Sequence, residues 1–348
     1  MTSIRLERVT VAYPAVTALD DVTLNVEDRE LLVLIGPSGS GKTTLMRVVA
    51  GLENITDGDV LYDGEIVTTM PPRERDISMV FQEKVLFSHK SVRKNVSFPL
   101  EVRGVRREEI DRRVLAETRM LAIARFLERM PKDLAAGHQQ LVQAARALVR
   151  RPSALLLDEP LSRMDAAARK TMRTEIRLLQ RGYGVTTLYA TNDHEEAMVL
   201  GDRIAVLNEG RIHQLGTPAE IYREPIDLFT AGFVGSPPMS FLPGDVTGRE
   251  VRMACGYLPL PHGLAPGPVT VGVRAHDWEI GAPAGFTGVV GMYENHGDHG
   301  YVQADLSGDE VTVRVDIGGP HVGDTVKLWT RRFHIFDTSG RAICHVRQ

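Results

Sequence analysis

The sequence predicts an α/β domain followed by a small all-β domain. Three observations carry this. Continuous apolar stretches such as LLVLI at 31–35 and SALLLD at 153–158 alternate with amphipathic helical stretches over the first 235 residues. A glycine-rich turn, GPSGSGKT at 36–43, joins the first of those strands directly to a helix. Past SPP at 236–238 the texture changes to short runs of β-forming residues split by Gly, Pro and Asp turns. The length of 348 residues fits about two domains, with the boundary near residue 236.

In order, IRLERVTV and VTLNV alternate as strands do, and LLVLI reads as a strand buried on both faces. TTLMRVVA is a helix closed by Gly51. Residues 105–129 place Ile110, Val114, Leu121 and Phe126 near one helical face. LAAGHQQ at 134–140 opens a further helix, LVQAARALV. Residues 166–181 form a charged amphipathic helix, VTTLYAT at 185–191 a strand, EEAMVLG a helix, and RIAVLNEGRI at 203–212 a hairpin about Asn208–Gly210. VTVGVRA, FTGVVGMYE, YVQADL, VTVRVDI and DTVKLWT supply strands for a barrel or sandwich.

The bulk numbers narrow the function classes. A net charge of −4 gives no general affinity for polyanions. Residues 236–348 hold nine Lys and Arg against twelve Asp and Glu, so a nucleic-acid footprint is missing there too. The charged N-terminus does not read as a secretory signal, and no apolar run reaches the roughly 18 residues of a membrane span. A cytoplasmic chain follows, held at any membrane by a partner. Cys255 and Cys344 have no metal or framework spacing. Tyr293, Trp278 and Trp329 are expected in a core, and NHGDH at 295–299 in a polar hairpin turn rather than around a metal.

GPSGSGKT is a full G-x-x-x-x-G-K-T between a strand and a helix. Such a loop cradles phosphate on backbone N–H groups at a helix N-terminus. Gly36, Pro37, Ser38, Gly39, Ser40, Gly41, Lys42, Thr43 and Thr44 therefore form the predicted nucleotide site. Lys42 reaches the outer phosphates and Thr43 binds Mg²⁺. LLLDE at 155–159 ends a buried strand in two acids. Asp158 is assigned to Mg²⁺ and Glu159 to the attacking water.

With these motifs in place, the chain resembles the nucleotide-binding subunit of an ABC transporter, in the branch typified by maltose-importer ATPases. VAYP at 11–14 resembles the loop whose tyrosine, Tyr13, stacks on adenine. PPRERDISMVFQ at 71–82 resembles the stretch into the Q-loop, which implies Gln82 near Mg²⁺ and the water. LFSHKSVRKNV resembles the segment facing the permease, in a helical subdomain of about 84–150. LSRMDA at 161–166 matches the D-loop, which assigns Asp165. DRIAVLNEGRIHQLGTPAEIYREP and AGFVGSP resemble the family's exit from a domain spanning 1–235, and GVRAHD and HIFDTSGRAI its OB-like (TOBE-type) C-terminal domain at 236–348.

The resemblance implies two copies head to tail, each nucleotide sandwiched between one phosphate loop and the partner's signature, usually LSGGQ. Two departures stand out. In LAAGH, Ala135 occupies the serine position, Ala136 the first glycine and His138 the glutamine, while Gly137 is kept; His138 is expected as an exposed loop residue. In YATNDH, Asn192 occupies the position of the switch histidine; His194 is expected on the following helix turn. Both changes fall on the γ-phosphate. The implied protein binds Mg·ATP, hydrolyses it slowly and energises an importer, of sugar in the family's pattern, at the cytoplasmic face of the membrane. Its implied partners are transmembrane permease subunits, indirectly an extracytoplasmic solute-binding protein, and a second ABC ATPase subunit, with no nucleic acid. The alternative is a regulatory or asymmetric ATP-binding module paired with an intact ABC subunit. A soluble repair or translation protein of this class would carry two cassettes or long coiled coils, and this chain has neither.

Overall fold

The structure, a computed structural model, describes residues 2–82, 86–162, 164–283 and 285–347. Lys84 and Val85 of the expected helical subdomain, and Arg163 of LSRMDA, lie outside the described residues. The chain divides into two compact units, Met1–Pro218 and Ala219–Gln348.

The first unit opens with β1 (Ile4–Tyr13), β2 (Val16–Val26) and β3 (Leu31–Ile35), followed by α1 (Lys42–Ala50), β4 (Asp57–Tyr62), β5 (Glu65–Ile66) and β6 (Ile77–Val80). Next come α2 (Val92–Val102), α3 (Arg107–Met120), α4 (Ala136–Leu148) and β7 (Ala154–Asp158). It closes with α5 (Ala166–Tyr183), β8 (Thr186–Thr191), α6 (His194–Leu200), β9 (Arg203–Asn208) and β10 (Arg211–Gly216). Two sheets result. One is antiparallel, in the order β2-β1-β4-β5; the other runs β10-β9-β3-β8-β7-β6. In the second, β9, β3, β8, β7 and β6 are mutually parallel and β10 folds back antiparallel on β9. The central strands β3, β7 and β8 are buried at every residue, as parallel strands covered on both faces must be. Their carboxyl ends carry the loops after Ile35, Asp158 and Thr191, the usual ligand position in such sheets.

The helical region differs in detail from the sequence expectation. The 105–129 helix breaks after Met120, where Ala122 takes a φ of 53°, and a short 3₁₀ turn follows at Ala124–Phe126. Ile110, Val114, Leu121 and Phe126 still share one buried cluster with Val92, Val96 and Val142. The helix α2 was not expected. Ser91 caps it by accepting from the Lys94 N–H, and it tolerates Pro99 in its interior.

The second unit begins with α7 (Pro218–Arg223) and α8 (Leu228–Phe233). The strands β11 (Ser240–Thr247), β12 (Glu250–Met253), β13 (Gly256–Pro259), β14 (Gly267–Val273), β15 (Trp278–Ile280) and β16 (Phe286–Asn295) follow. It ends with β17 (His299–Leu306), β18 (Asp309–Asp316), β19 (Thr325–Thr330), β20 (Arg332–Phe336) and β21 (Ala342–Arg347). Two antiparallel sheets, β13-β12-β11-β14-β20-β21 and β15-β19-β16-β17-β18, enclose one apolar core, an OB-like β domain. Trp278 is buried in that core, and Tyr293 and Trp329 pack on it. Residues 219–235 pack with this unit: Ala231 joins Met239 and Phe336 in a small cluster, and Leu228 N–H donates to the Gly340 carbonyl at 2.8 Å. The NHGDH stretch is the β16–β17 hairpin turn, closed by Asn295 accepting from the Gly297 N–H at 2.8 Å.

One buried side chain ties the phosphate-loop helix to the rest of its unit. Arg75 is 2% exposed. Its guanidinium donates to the carbonyls of Val48 (2.9 Å) and Val49 (2.8 Å) at the end of α1, and of Met70 (3.0 Å), Val67 (2.7 Å) and Thr68 (3.0 Å). It thereby satisfies carbonyls that the helix C-terminus leaves open. Arg75→Ala is expected to destabilise the first unit by at least about 2 kcal/mol, because several buried acceptors lose their donor. Arg75→Lys, with three donors, should fall between. Urea unfolding read on a probe in this unit checks the order; equal midpoints for Arg, Lys and Ala would contradict it.

Candidate functional site

The site is built on backbone that leaves no room for side chains. Gly36 has a φ of 159°, and a Cβ there would lie 2.0 Å from the Leu207 carbonyl oxygen of β9. Gly41, with a φ of 106°, would place its Cβ 2.6 Å from the Ala18 carbonyl oxygen of β2. The loop is further tied by Gly210 N–H donating to the Ser40 carbonyl at 3.0 Å. Gly41 is the N-cap of α1 and offers no side-chain acceptor, so the first N–H groups of the helix stay open for an anion.

Lys42 is 5% exposed. Its ammonium donates to the carbonyls of Gly36 and Pro37, both at 2.9 Å, and to Ser40 Oγ at 3.4 Å. Burial pushes its pKa down, and the nearby Glu159 and Asp158 carboxylates oppose that. Asp158, at the end of β7, is 3% exposed and accepts from Thr43 Oγ1 at 3.2 Å. Burial raises its pKa; the Thr43 hydrogen bond and Lys42 counteract this, and Glu159 adds to it. Thr43 and Asp158 thus present a hydroxyl and a carboxylate oxygen side by side, a donor pair of the hard type that Mg²⁺ takes.

Glu159 sits in the left-handed region, with a φ of 44°, and its N–H donates to the Ala190 carbonyl of β8 at 2.9 Å. A non-glycine residue there carries about 1–3 kcal/mol of strain, which surrounding contacts must hold. Gln82 Nε2 donates to Glu159 Oε2 at 2.7 Å. Of the three expected metal ligands, Thr43 and Asp158 meet each other, while Gln82 meets Glu159. Gln82 and Ala136 also line one small cavity of about 20 Å³ with Gln143, Pro160, Ser162 and Met164. Ser38 and Gly39 are exposed at the loop tip, Thr44 is half-buried, and Tyr13 is 41% exposed at the end of β1.

The departing motifs have clear structures. Ala135 is the N-cap of α4, exposed, with no side-chain acceptor for the helix N–H groups. Gly137 lies inside the first turn, where a Cβ would meet only Met164 Cε at 3.5 Å, so the backbone does not demand glycine. His138 is not an exposed loop residue: it is half-buried in α4, its ring 4.5 Å from that of Phe126. Gln139 Nε2 instead serves the turn, donating to the carbonyls of Pro131 (3.0 Å) and Leu134 (2.9 Å). Asn192 is exposed after β8, and its side chain has no partner among the described residues. His194 is the first residue of α6. Asp165 caps α5, accepting from the Ala168 N–H at 2.9 Å. No hydrogen bond joins Ala135, Gly137 or Asp165 to the phosphate loop among the described residues.

A polar network behind the site escaped the sequence. Arg169 of α5 reaches the Met164 carbonyl (3.1 Å), Asp193 (3.4 Å) and Glu196 (3.8 Å). Glu196 also accepts from Tyr189 (2.8 Å) and Thr191 (3.0 Å). It links the segment before Asp165 to the loop that carries Asn192. No spacing signal marks these residues; only the fold brings α5 and α6 together.

A family model described as ABC transporter matches residues 19–162. The sn-glycerol-3-phosphate import ATP-binding protein UgpC of Ruegeria pomeroyi is 40% identical over 344 residues, 97% of each chain. The maltose/maltodextrin import ATP-binding protein MalK of Escherichia coli K12 is 44% identical over 282 residues, covering 81% of this chain and 75% of its own length. A solved dimeric ATP-binding cassette in a post-hydrolysis state, bound to ADP and Pi, superposes with a TM-score of 0.56 at 28% identity, over 62% of this chain and 98% of its own.

One tight and one open glycine of the loop make a graded test. Gly36→Ala is expected to destabilise by about 1–3 kcal/mol or more, because a backbone carbonyl must move. Gly39→Ala, with open space around its Cβ position, should lose only the roughly 1–2 kcal/mol of left-handed backbone strain. Thermal melts of the two variants would reveal a reversed order if the loop were not seated against β9.

Proposed function

The chain belongs to the ABC transporter family, and from that premise we propose that it is the ATP-hydrolysing subunit of a carbohydrate-type importer whose chemical step is slow. Import ATP-binding subunits of this family are ATPases. One combination carries the finer reading: the chain keeps a complete phosphate cradle, while its signature position Ala135 offers no hydroxyl and its switch position Asn192 no imidazole.

In this reading Tyr13 stacks on adenine, the N–H groups at 38–44 hold the phosphates, and Lys42 sets its charge against the outer ones. Thr43 and Asp158 hold Mg²⁺, which when bound supplies positive charge against the phosphate oxygens. Glu159 orients the attacking water and takes up its proton, while Gln82 fixes the carboxylate through their hydrogen bond. Two copies meet head to tail, so that Ala135, Gly137 and Asp165 of one face the nucleotide of the other; their separation from their own phosphate loop supports this. Ala135 removes one hydroxyl donor from that contact, about 1.5–3 kcal/mol for a bond to a charged group. Asn192 keeps an amide donor but is shorter and carries no protonatable ring.

The helical region supports a permease as the membrane partner. A groove of about 470 Å³ is lined by Phe87, Phe98, Pro99 and Val102 with Arg73 and Arg103, a surface fit for an amphipathic helix end. No helix of the described residues is long and apolar enough to cross a membrane. Attachment through the permease places the chain at the cytoplasmic face. The names of the relatives favour a sugar or a polyol phosphate as solute, and the dimeric solved cassette supports a homodimer as the working unit. Recovery of a second, different ABC subunit in equal amount would establish the asymmetric module instead.

Joint restoration by Ala135→Ser, Ala136→Gly and Asn192→His is expected to raise steady-state phosphate release by about 10²-fold. A flat rate in a folded triple variant would remove the slow-step reading. Separately, Glu159→Gln should cut hydrolysis by about 10²-fold or more while Mg·ATP affinity changes little. Filter binding with labelled ATP set beside a phosphate-release assay decides this, and loss of binding would place Glu159 in nucleotide retention rather than in the chemistry.

A further inference from the structure

The second unit holds a cleft of about 370 Å³ lined by Arg223, Arg274, Arg332 and Arg347, with Asp277 among them. Its size falls in the usual range of small-molecule sites. Arg274 is 3% exposed. It is locked by neutral partners: Nη1 donates to the Val234 carbonyl and Nη2 to the Tyr222 carbonyl, both at 2.7 Å, and the guanidinium lies 3.8 Å from the Tyr222 ring centroid. Its Nε is buried with no partner. Carbonyls and a ring face orient this charge without cancelling it.

The other arginines are only lightly neutralised. Arg332 stands 3.9 Å from Asp277, at the outer limit of an ion pair. Arg347 meets Glu224 at 3.3 Å and the Arg223 carbonyl at 3.2 Å. The Arg223 side chain has no partner among the described residues. Four guanidiniums and a single carboxylate, Asp277, thus line the cleft, and Glu224 pairs with Arg347 beside it, so positive charge is in excess there. A domain with more acids than bases has gathered four of its nine arginines in one concavity. Planar guanidinium forks match phosphate oxygens in pairs.

We propose that this cleft binds a small phosphate-bearing dianion, either inorganic phosphate or a phosphomonoester. The site belongs wholly to the second unit and does not depend on the slow-hydrolysis reading. The test uses the full chain carrying Lys42→Ala, which takes away the charge of the competing phosphate loop. Inorganic phosphate, glucose 6-phosphate and citrate are titrated by calorimetry into this protein and into the same protein with Arg332→Ala and Arg347→Ala. These two side chains are 66% and 46% exposed, so the fold should survive their truncation; equal melting temperatures verify this. At least one phosphate probe is expected to saturate at about 1 mM or below, and to bind about tenfold more weakly after the double change. Tighter glucose 6-phosphate assigns the ester and tighter inorganic phosphate the free ion; either supports the site. The proposal is overturned if neither probe saturates, if the arginine changes leave affinity unchanged, or if citrate binds as well as phosphate.

Discussion

Contacts that exclude a single methyl group fix where this protein can hold phosphate. Gly36 lies against the Leu207 carbonyl and Gly41 against the Ala18 carbonyl, so the loop between β3 and α1 rests directly on backbone of β9 and β2. Everything else in the site takes its place from that seating. The open N-terminus of α1 points over the carboxyl edge of the parallel sheet, Lys42 folds back on its own loop, and Thr43 reaches Asp158 at the end of β7, two strands over from β3. Arg75 secures the far end of the same helix. Both ends of α1 are therefore held by interactions with carbonyl groups, at one end by absence of a side chain and at the other by a long one.

Much of this was legible in the sequence, and the reasons are local. The loop, its flanking strand and helix, and the acidic end of β7 each follow from a few adjacent residues with one backbone solution. The hairpin about Asn208–Gly210 and the Gly51 cap are of the same kind. What could not be read depends on long-range packing. The interruption of the 105–129 stretch at Ala122 leaves the apolar spacing intact, because Leu121 and Phe126 still reach the same cluster after the chain turns. His138 looked like a solvent-facing residue until Phe126 came to lie beside it. The Arg169–Glu196 network needs two helices far apart in sequence. Charge counts fared worst: a tally over residues 236–348 averages away the arginines that folding collects.

The departures at Ala135 and Asn192 fit the same logic. A cap residue and a loop residue after a strand contribute little to the core, so their substitution leaves the unit's packing undisturbed. Both positions are exposed, and neither side chain is needed by a neighbour in the same chain. Fold and chemistry are separable here because the residues that hold the loop and the residues that complete the reaction site are different sets.

His334 and His345 face each other through their Nδ1 atoms at 2.7 Å beside the arginine-lined cleft. Such a contact needs one proton between the two nitrogens, and a second would set like charges together. Burial and the neighbouring cations hold the His334 ring down to about 3, and His345 is lowered as well. The pair therefore stays electrically silent through the range where free imidazoles gain charge. Its electrostatic background comes from guanidiniums, which do not titrate in water. Across neutral pH, a change in occupancy of that hollow would therefore report some group other than this histidine pair.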